Sequence, residues 1–181
     1  MPLADDKTSQ ASGVPYPSQA AGAVTPWSLA AYEQLKDWAA SRGGSWQRWD
    51  PEYLVLTIAS AEGESVEKVV IDTADEELTV EFGYWESHSP EDDAALAAAD
   101  VRRMAEEWLS GAWSTAIYFD ANGKWCGSRC VEGPGLPAWL SDIEWIKYFA
   151  PTHVEIRRAR RSEWRRFAIA DDKLMEVSSA T

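Results

Sequence analysis

Two histidines, two cysteines and no apolar run approaching the roughly 18 residues of a membrane-spanning helix limit what this 181-residue chain can be. His88 and His153 are far apart in sequence, and neither sits in a His-x-x-x-His, Cys-x-x-Cys or Gly-x-Ser-x-Gly pattern. The compact ligand pairs of a zinc site are missing, so no metal is expected. Gly133-Pro134-Gly135 places proline where a phosphate-binding loop needs backbone donors, and no cofactor is expected either. Cys126 and Cys130 fall in one predicted strand, about 13 Å apart at 3.3 Å per residue, which is too far for a disulfide. The N-terminus lacks the basic start and apolar core of a signal peptide, so reduced thiols and a cytoplasmic location are the expectation.

Positive charge is also scarce. Seventeen Lys and Arg face thirty Asp and Glu, for a formal charge of −13. Binding to nucleic acid or anionic lipid depends on cationic groups displacing counterions, so both are disfavoured and a basic protein partner is favoured. A solubility role alone accounts for the same acidity.

What the chain has in excess is tryptophan, eleven in all, within an ordinary apolar fraction of 45%. Each buries a large area on few rotatable bonds, which suits a core first and an interface anchor second. Residues 1–24, rich in Ser, Gln, Ala, Gly and Pro, read as a flexible tail, and 25–181 as a single domain. Thr25-Pro26 opens a helix with Trp27, Ala31, Leu35, Trp38 and Ala39 on one stripe, ended by Gly43-Gly44. The period then changes to two: Leu54, Leu56 and Ile58; Val69 and Ile71; Leu78, Val80, Phe82 and Tyr84. Ser89-Pro90-Glu91-Asp92 signals a second helix running to about Ser110, with Ala97, Val101, Met104, Ala105, Trp108 and Leu109 inward. Strands over 113–119 and 124–131 flank Asn122-Gly123, a hairpin signal. An irregular loop from Gly133 to Pro137, a short helix over 139–149 and strands near 153–160 and 163–169 complete the chain. The predicted class is α+β, a mainly antiparallel twisted sheet of about seven strands packed with two principal helices.

Charge is unevenly placed. Fifteen acidic residues against three basic ones lie between Glu62 and Glu107. Part of this serves a helix N-terminus, whereas Glu81 and Glu86 extend along a strand, where spaced carboxylates match a basic surface. Opposed to them, residues 156–167 carry six arginines. These pair with acidic strands of the same chain or, alternatively, form a phosphate or nucleic-acid site beside Trp164 and Phe167. A third reading is a small enzyme built on Glu86, His88 and Cys126 in a Trp-lined pocket, which requires those side chains to converge.

The segments Glu77-Leu78-Thr79-Val80-Glu81-Phe82-Gly83-Tyr84-Trp85, followed by His88, and Gly123-Lys124-Trp125-Cys126-Gly127-Ser128 resemble small bacterial proteins of the polymorphic-toxin immunity type. Where that pattern has histidine directly after the tryptophan, this chain has Glu86. The resemblance implies an α+β protein that binds and blocks a cognate toxin without catalysis of its own. The leading expectation is therefore a non-enzymatic acidic interaction protein with a basic partner. In it Asp75, Glu76, Glu77, Glu81 and Glu86 steer association, Tyr84 and Trp85 anchor the interface, and no residue is catalytic or binds metal.

Overall fold

The computed structural model describes residues 24–50, 52–59, 67–133, 148–171 and 173–177. The expected tail up to residue 23, the connector 61–64, the loop 134–137 and the expected short helix up to residue 147 lie outside the described residues. Val24, expected at the end of that tail, is buried.

Helix α1, Pro26–Ser41, starts as the sequence predicts: Thr25 caps it by accepting a hydrogen bond from the Ser28 amide, with proline in the first turn. It ends where the Gly43 and Gly44 amides donate back to the Ala40 and Ala39 carbonyls. Strands β1 (Ser45–Asp50), β2 (Tyr53–Ala59), β3 (Lys68–Asp72), β4 (Thr79–Phe82) and β5 (Trp85–His88) follow as an antiparallel meander in that spatial order. Helix α2, Ala94–Leu109, leads to β6 (Trp113–Phe119), β7 (Trp125–Glu132), β8 (His153–Arg157), β9 (Arg165–Ala170) and β10 (Lys173–Val177), ordered β10-β9-β8-β6-β7.

The α+β class with two helices is as predicted, but the described residues form two five-stranded antiparallel sheets instead of one sheet of about seven strands. The missed strands have weak alternation because they lie at edges. Among the described side chains of β1, β5 and β10 none is fully buried, and each strand packs a single partly buried one, Trp46, Trp85 or Leu174, against a core cluster, too little to mark an apolar face. The cap of α2 is also corrected, from Ser89 to Asp93. The Ser89 amide is tied to the Leu78 carbonyl at 2.9 Å, which keeps the chain extended, and the Asp93 carboxylate accepts from the Ala95 and Leu96 amides instead.

Both helices cover one face of the first sheet. Leu35 and Trp38 of α1 and Val101, Ala105 and Trp108 of α2 pack on Leu56, Ile58, Val69, Ile71, Val80 and Phe82. Trp108 stacks on Phe82 at 5.2 Å between ring centroids. A smaller cluster of Ala116, Tyr118, Val154, Ile156 and Phe167 serves the second sheet. No helix among the described residues is long and apolar enough to cross a membrane.

Two turns bring the sheets together. Gly83-Tyr84 joins β4 to β5, with Gly83 at φ 64° and Phe82 paired to Trp85, the glycine-first geometry of a two-residue hairpin. Sequence periodicity had aligned Tyr84 with Phe82 on the core face, whereas it is the turn residue and projects outward. Across the gap, Asp120 accepts from the Asn122 and Lys124 amides and closes the β6–β7 hairpin around Gly123, at the predicted place. Phe119 pairs with Trp125 but Tyr118 with Gly127, so Cys126 is bulged and the start of β7 is turned toward β5. The Ser128 hydroxyl donates to the Tyr84 carbonyl, joining the edges of the two sheets.

Gly83→Ala is expected to cost more stability than Gly123→Ala in urea denaturation. Both residues have positive φ, for which an L side chain costs roughly 1–2 kcal/mol. At Gly83 a Cβ would also sit 3.1 Å from the ion-paired Glu67 carboxylate, while Gly123 faces open space. Equal losses would show that the turn tolerates a side chain there.

Candidate functional site

The seven residues expected to bind a partner separate into two groups at opposite ends of the β4–β5 hairpin. Asp75 and Glu76 are exposed on a short helical turn, Ala74–Glu76, with φ of 55° and 58°. Glu77 Oε1 lies 2.8 Å from His88 Nδ1, and the Thr79 hydroxyl is 3.0 Å from the same nitrogen. At the other end, Glu81, Tyr84, Trp85 and Glu86 line a groove of about 1030 Å³ together with Lys124, Trp125, Cys126 and Phe149. Tyr84, Trp125 and Phe149 are 49%, 51% and 57% exposed, so three large aromatic faces are available to a ligand. Trp85 is half-buried, its ring 4.9 Å from that of Phe82, and it lines the same groove.

Electrostatics in the groove are unbalanced. Glu81 is paired in register directly opposite Glu86, and neither forms an ion pair among the described residues. Desolvation first, and Glu86 second, push the Glu81 carboxyl above its ordinary range, against the opposing effect of Lys68 on the neighbouring strand. Burial does the same to Asp72 on the neighbouring strand, with Glu77 and Glu86 adding to the shift against the opposing effects of the Ala74 amide and His88.

Behind Tyr84 the arrangement is the reverse, a cation fully matched. Arg157 donates to Glu67 at 3.0 Å and to Glu155 at 2.8 and 3.1 Å, and its guanidinium lies 5.2 Å from the Tyr84 ring centroid and 4.5 Å from that of Trp164. Glu67 is 5% exposed, and burial raises its carboxyl despite the arginine. The Tyr84 ring in turn lies 6.3 Å from that of Trp125.

The expectation that the arginine-rich segment pairs within the chain holds for Arg157, Arg158, Arg160 and Arg165, although Glu67 is the one partner among them from the acidic block. Arg158 and Arg160 pair with Glu163, and Arg165 with Glu176, all acids of the C-terminal strands and their turn. The three residues of the enzyme reading do not all meet: Glu86 and Cys126 line the groove, whereas His88 is held by Glu77 and Thr79. The Cys126 thiol lies within weak hydrogen-bonding distance of the Lys124 and Phe149 carbonyls, burial pushes it up, and neither contact is to a base that could activate it. No group of three His, Cys, Asp or Glu side chains among the described residues is arranged to hold a metal ion.

Sequence reasoning missed Trp125, Phe149, Glu67 and Arg157 as parts of this site. The hairpin signal at Asn122-Gly123 could have placed Trp125 at a strand start, but nothing local links Glu67 to Arg157.

Arg157→Ala is expected to destabilise the protein by about 3 kcal/mol in denaturant titrations, because it leaves the Glu67 carboxylate buried without its partner. Adding Glu67→Gln to that variant is expected to recover part of the loss, and a cost under about 1 kcal/mol for Arg157→Ala would show that the pair does not hold the sheets together. Acidification gives a second prediction. Glu67, Asp72 and Glu81 have raised folded-state values, so the folded chain takes up protons before the unfolded one. The stability they contribute is present below their ordinary values and is lost as pH rises through the raised ones. His153, lowered by burial and Arg166, acts oppositely below its ordinary range. Asp72→Asn with Glu81→Gln is therefore expected to raise stability at pH 7 by up to about 1 kcal/mol, with the gain vanishing near pH 4 in thermal melts. A gain that persists unchanged at low pH would assign it to something other than charge.

No family model, no curated protein and no solved structure matches this chain.

Proposed function

We propose that this chain is a non-enzymatic interaction domain that binds a basic protein through the groove beside the β4–β5 turn, acting in the cytoplasm as an immunity-type protein against a basic toxin. The observation that carries the reading is the combination, in one groove, of exposed aromatic faces with carboxylates that have no ion-pair partner among the described residues. Aromatic side chains in a concave site supply most of the energy of a typical interface, and uncompensated charge supplies its association rate. The two segments that resemble immunity-type proteins, Glu77–Trp85 and Gly123–Ser128, both contribute lining residues, which supports the same reading. Asp75, Glu76 and Glu77, at the far end of the hairpin, extend the negative field and act as steering charges.

Coexpression with the product of the neighbouring reading frame tests this directly. The expected outcome is restored growth of cells carrying a toxic neighbour and a complex that survives size exclusion. Glu81→Lys with Glu86→Lys is expected to slow association about tenfold at low salt, with a smaller effect in high salt. Failure to form a complex, or an association rate indifferent to the reversal, overturns the proposal.

A further inference from the structure

Arg157 shows what a cation needs in order to be held at this junction. Its planar guanidinium lies over the Trp164 and Tyr84 rings, 4.5 and 5.2 Å from their centroids, while carboxylate oxygens of Glu155 and Glu67 accept at 2.8 and 3.0 Å. The stack continues outward from Tyr84 to Trp125, tilted by 35° and half exposed at the groove. There the same components recur, aromatic faces beside Glu81 and Glu86, yet no ion pair among the described residues neutralises either acid. Lys124, the one lysine lining the groove, has no described ion pair with them, and Lys68, which lowers the Glu81 carboxyl from the neighbouring strand, lies beyond ion-pair distance of it. Two like charges held directly opposite on adjacent strands are unfavourable by themselves and become favourable once a cation lies between them.

The geometry points to an arginine side chain of the partner as the occupant of this groove, its guanidinium laid on Trp125 and ion-paired with Glu86 and Glu81. The inference rests on the partner-binding reading above and names the chemistry recognised. Arginine is favoured over lysine because a planar, weakly hydrated guanidinium stacks on an aromatic face while its edge donates to carboxylates, whereas an ammonium is a compact, strongly hydrated charge.

The test uses the full chain and two capped tripeptides, acetyl-Gly-Arg-Gly-amide and acetyl-Gly-Lys-Gly-amide, titrated at 150 mM salt while the indole N–H resonances are followed by NMR. Expected are shifts at the Trp125 indole and an affinity for the arginine peptide about fivefold above that for the lysine peptide. Trp125→Ala is expected to weaken arginine binding about fivefold and Glu86→Gln about threefold, while Trp125→Phe keeps most of it. Asp75→Asn and Glu76→Gln remove the same charge outside the groove and are expected to change it by less than about twofold. If Trp125→Ala does not fold, Trp125→Phe and Glu86→Gln carry the comparison. Equal affinity for the two peptides, or equal losses in the Asp75 and Glu86 variants, overturns the inference by reducing the effect to generic charge. A complex with the neighbouring gene product that forms and survives Trp125→Ala overturns the arginine site alone. Peptide binding in the groove with no such complex leaves the site standing and removes the partner reading.

Discussion

The junction between the two sheets is built around one buried ion pair, Glu67 with Arg157. The acid precedes β3 in the first sheet and the arginine ends β8 in the second, ninety positions apart in the chain. A buried pair of this kind is weak evidence for net stability, because desolvation offsets much of the Coulomb attraction. Its value lies in what it forbids. A sheet shifted by one residue would place the Glu67 carboxylate, 5% exposed, in apolar surroundings with no counter-charge. The second acid, Glu155, and the nearby rings of Trp164 and Tyr84 restrict the guanidinium further.

That restriction has a consequence for the neighbouring surface. Tyr84 is held from behind by Arg157 and through its carbonyl by Ser128, so an exposed turn residue is fixed on two sides. Gly83 makes this possible: its positive φ folds the hairpin tightly, and its missing Cβ leaves space for the Glu67 carboxylate. The Tyr84 and Trp125 faces are therefore preorganised, and a ligand that docks on them does not bear the cost of ordering them. Rigidity reaches the groove from the buried pair.

Much of the scaffold was legible in the sequence because it is written locally. Thr25-Pro26, the alternation of Leu54, Leu56 and Ile58, and Asn122-Gly123 each specify structure within a few residues, and each element forms there. Where two local signals compete, tertiary contacts decide: Ser89 and Asp93 can both cap α2, and the bond from Ser89 to Leu78 leaves the role to Asp93. Tyr84 misled for a related reason, since its even spacing from Val80 and Phe82 imitates a continuing strand while Gly83 breaks the chain direction. Division into two sheets was not legible, because it follows from edge strands with little burial and from a partnership between distant residues. The candidate site was half legible. Glu81, Tyr84, Trp85 and Glu86 lie in one readable hairpin, but Trp125, Phe149 and Arg157 join them only through the fold.

The tryptophans divide along the same line. Trp108 and Trp38 belong to the core between helices and sheet, where area burial suffices to explain them. Trp164 and Trp125 instead stand at the two ends of a stack that runs Trp164, Arg157, Tyr84, Trp125 from the partly buried junction to the open groove. In the inner part of that stack the charge is neutralised by Glu67 and Glu155. At its outer end the acids Glu81 and Glu86 line the groove with Trp125 and form no ion pair among the described residues, Lys68 acting on Glu81 only from beyond ion-pair distance. A chain with a net charge of −13 could have used any of its acids for solubility, and most of the described ones are exposed. Placing two of them directly opposite each other, beside a half-exposed indole, lowers the stability of the free protein and raises its affinity for a cation. That trade distinguishes this part of the acidic surface from the rest.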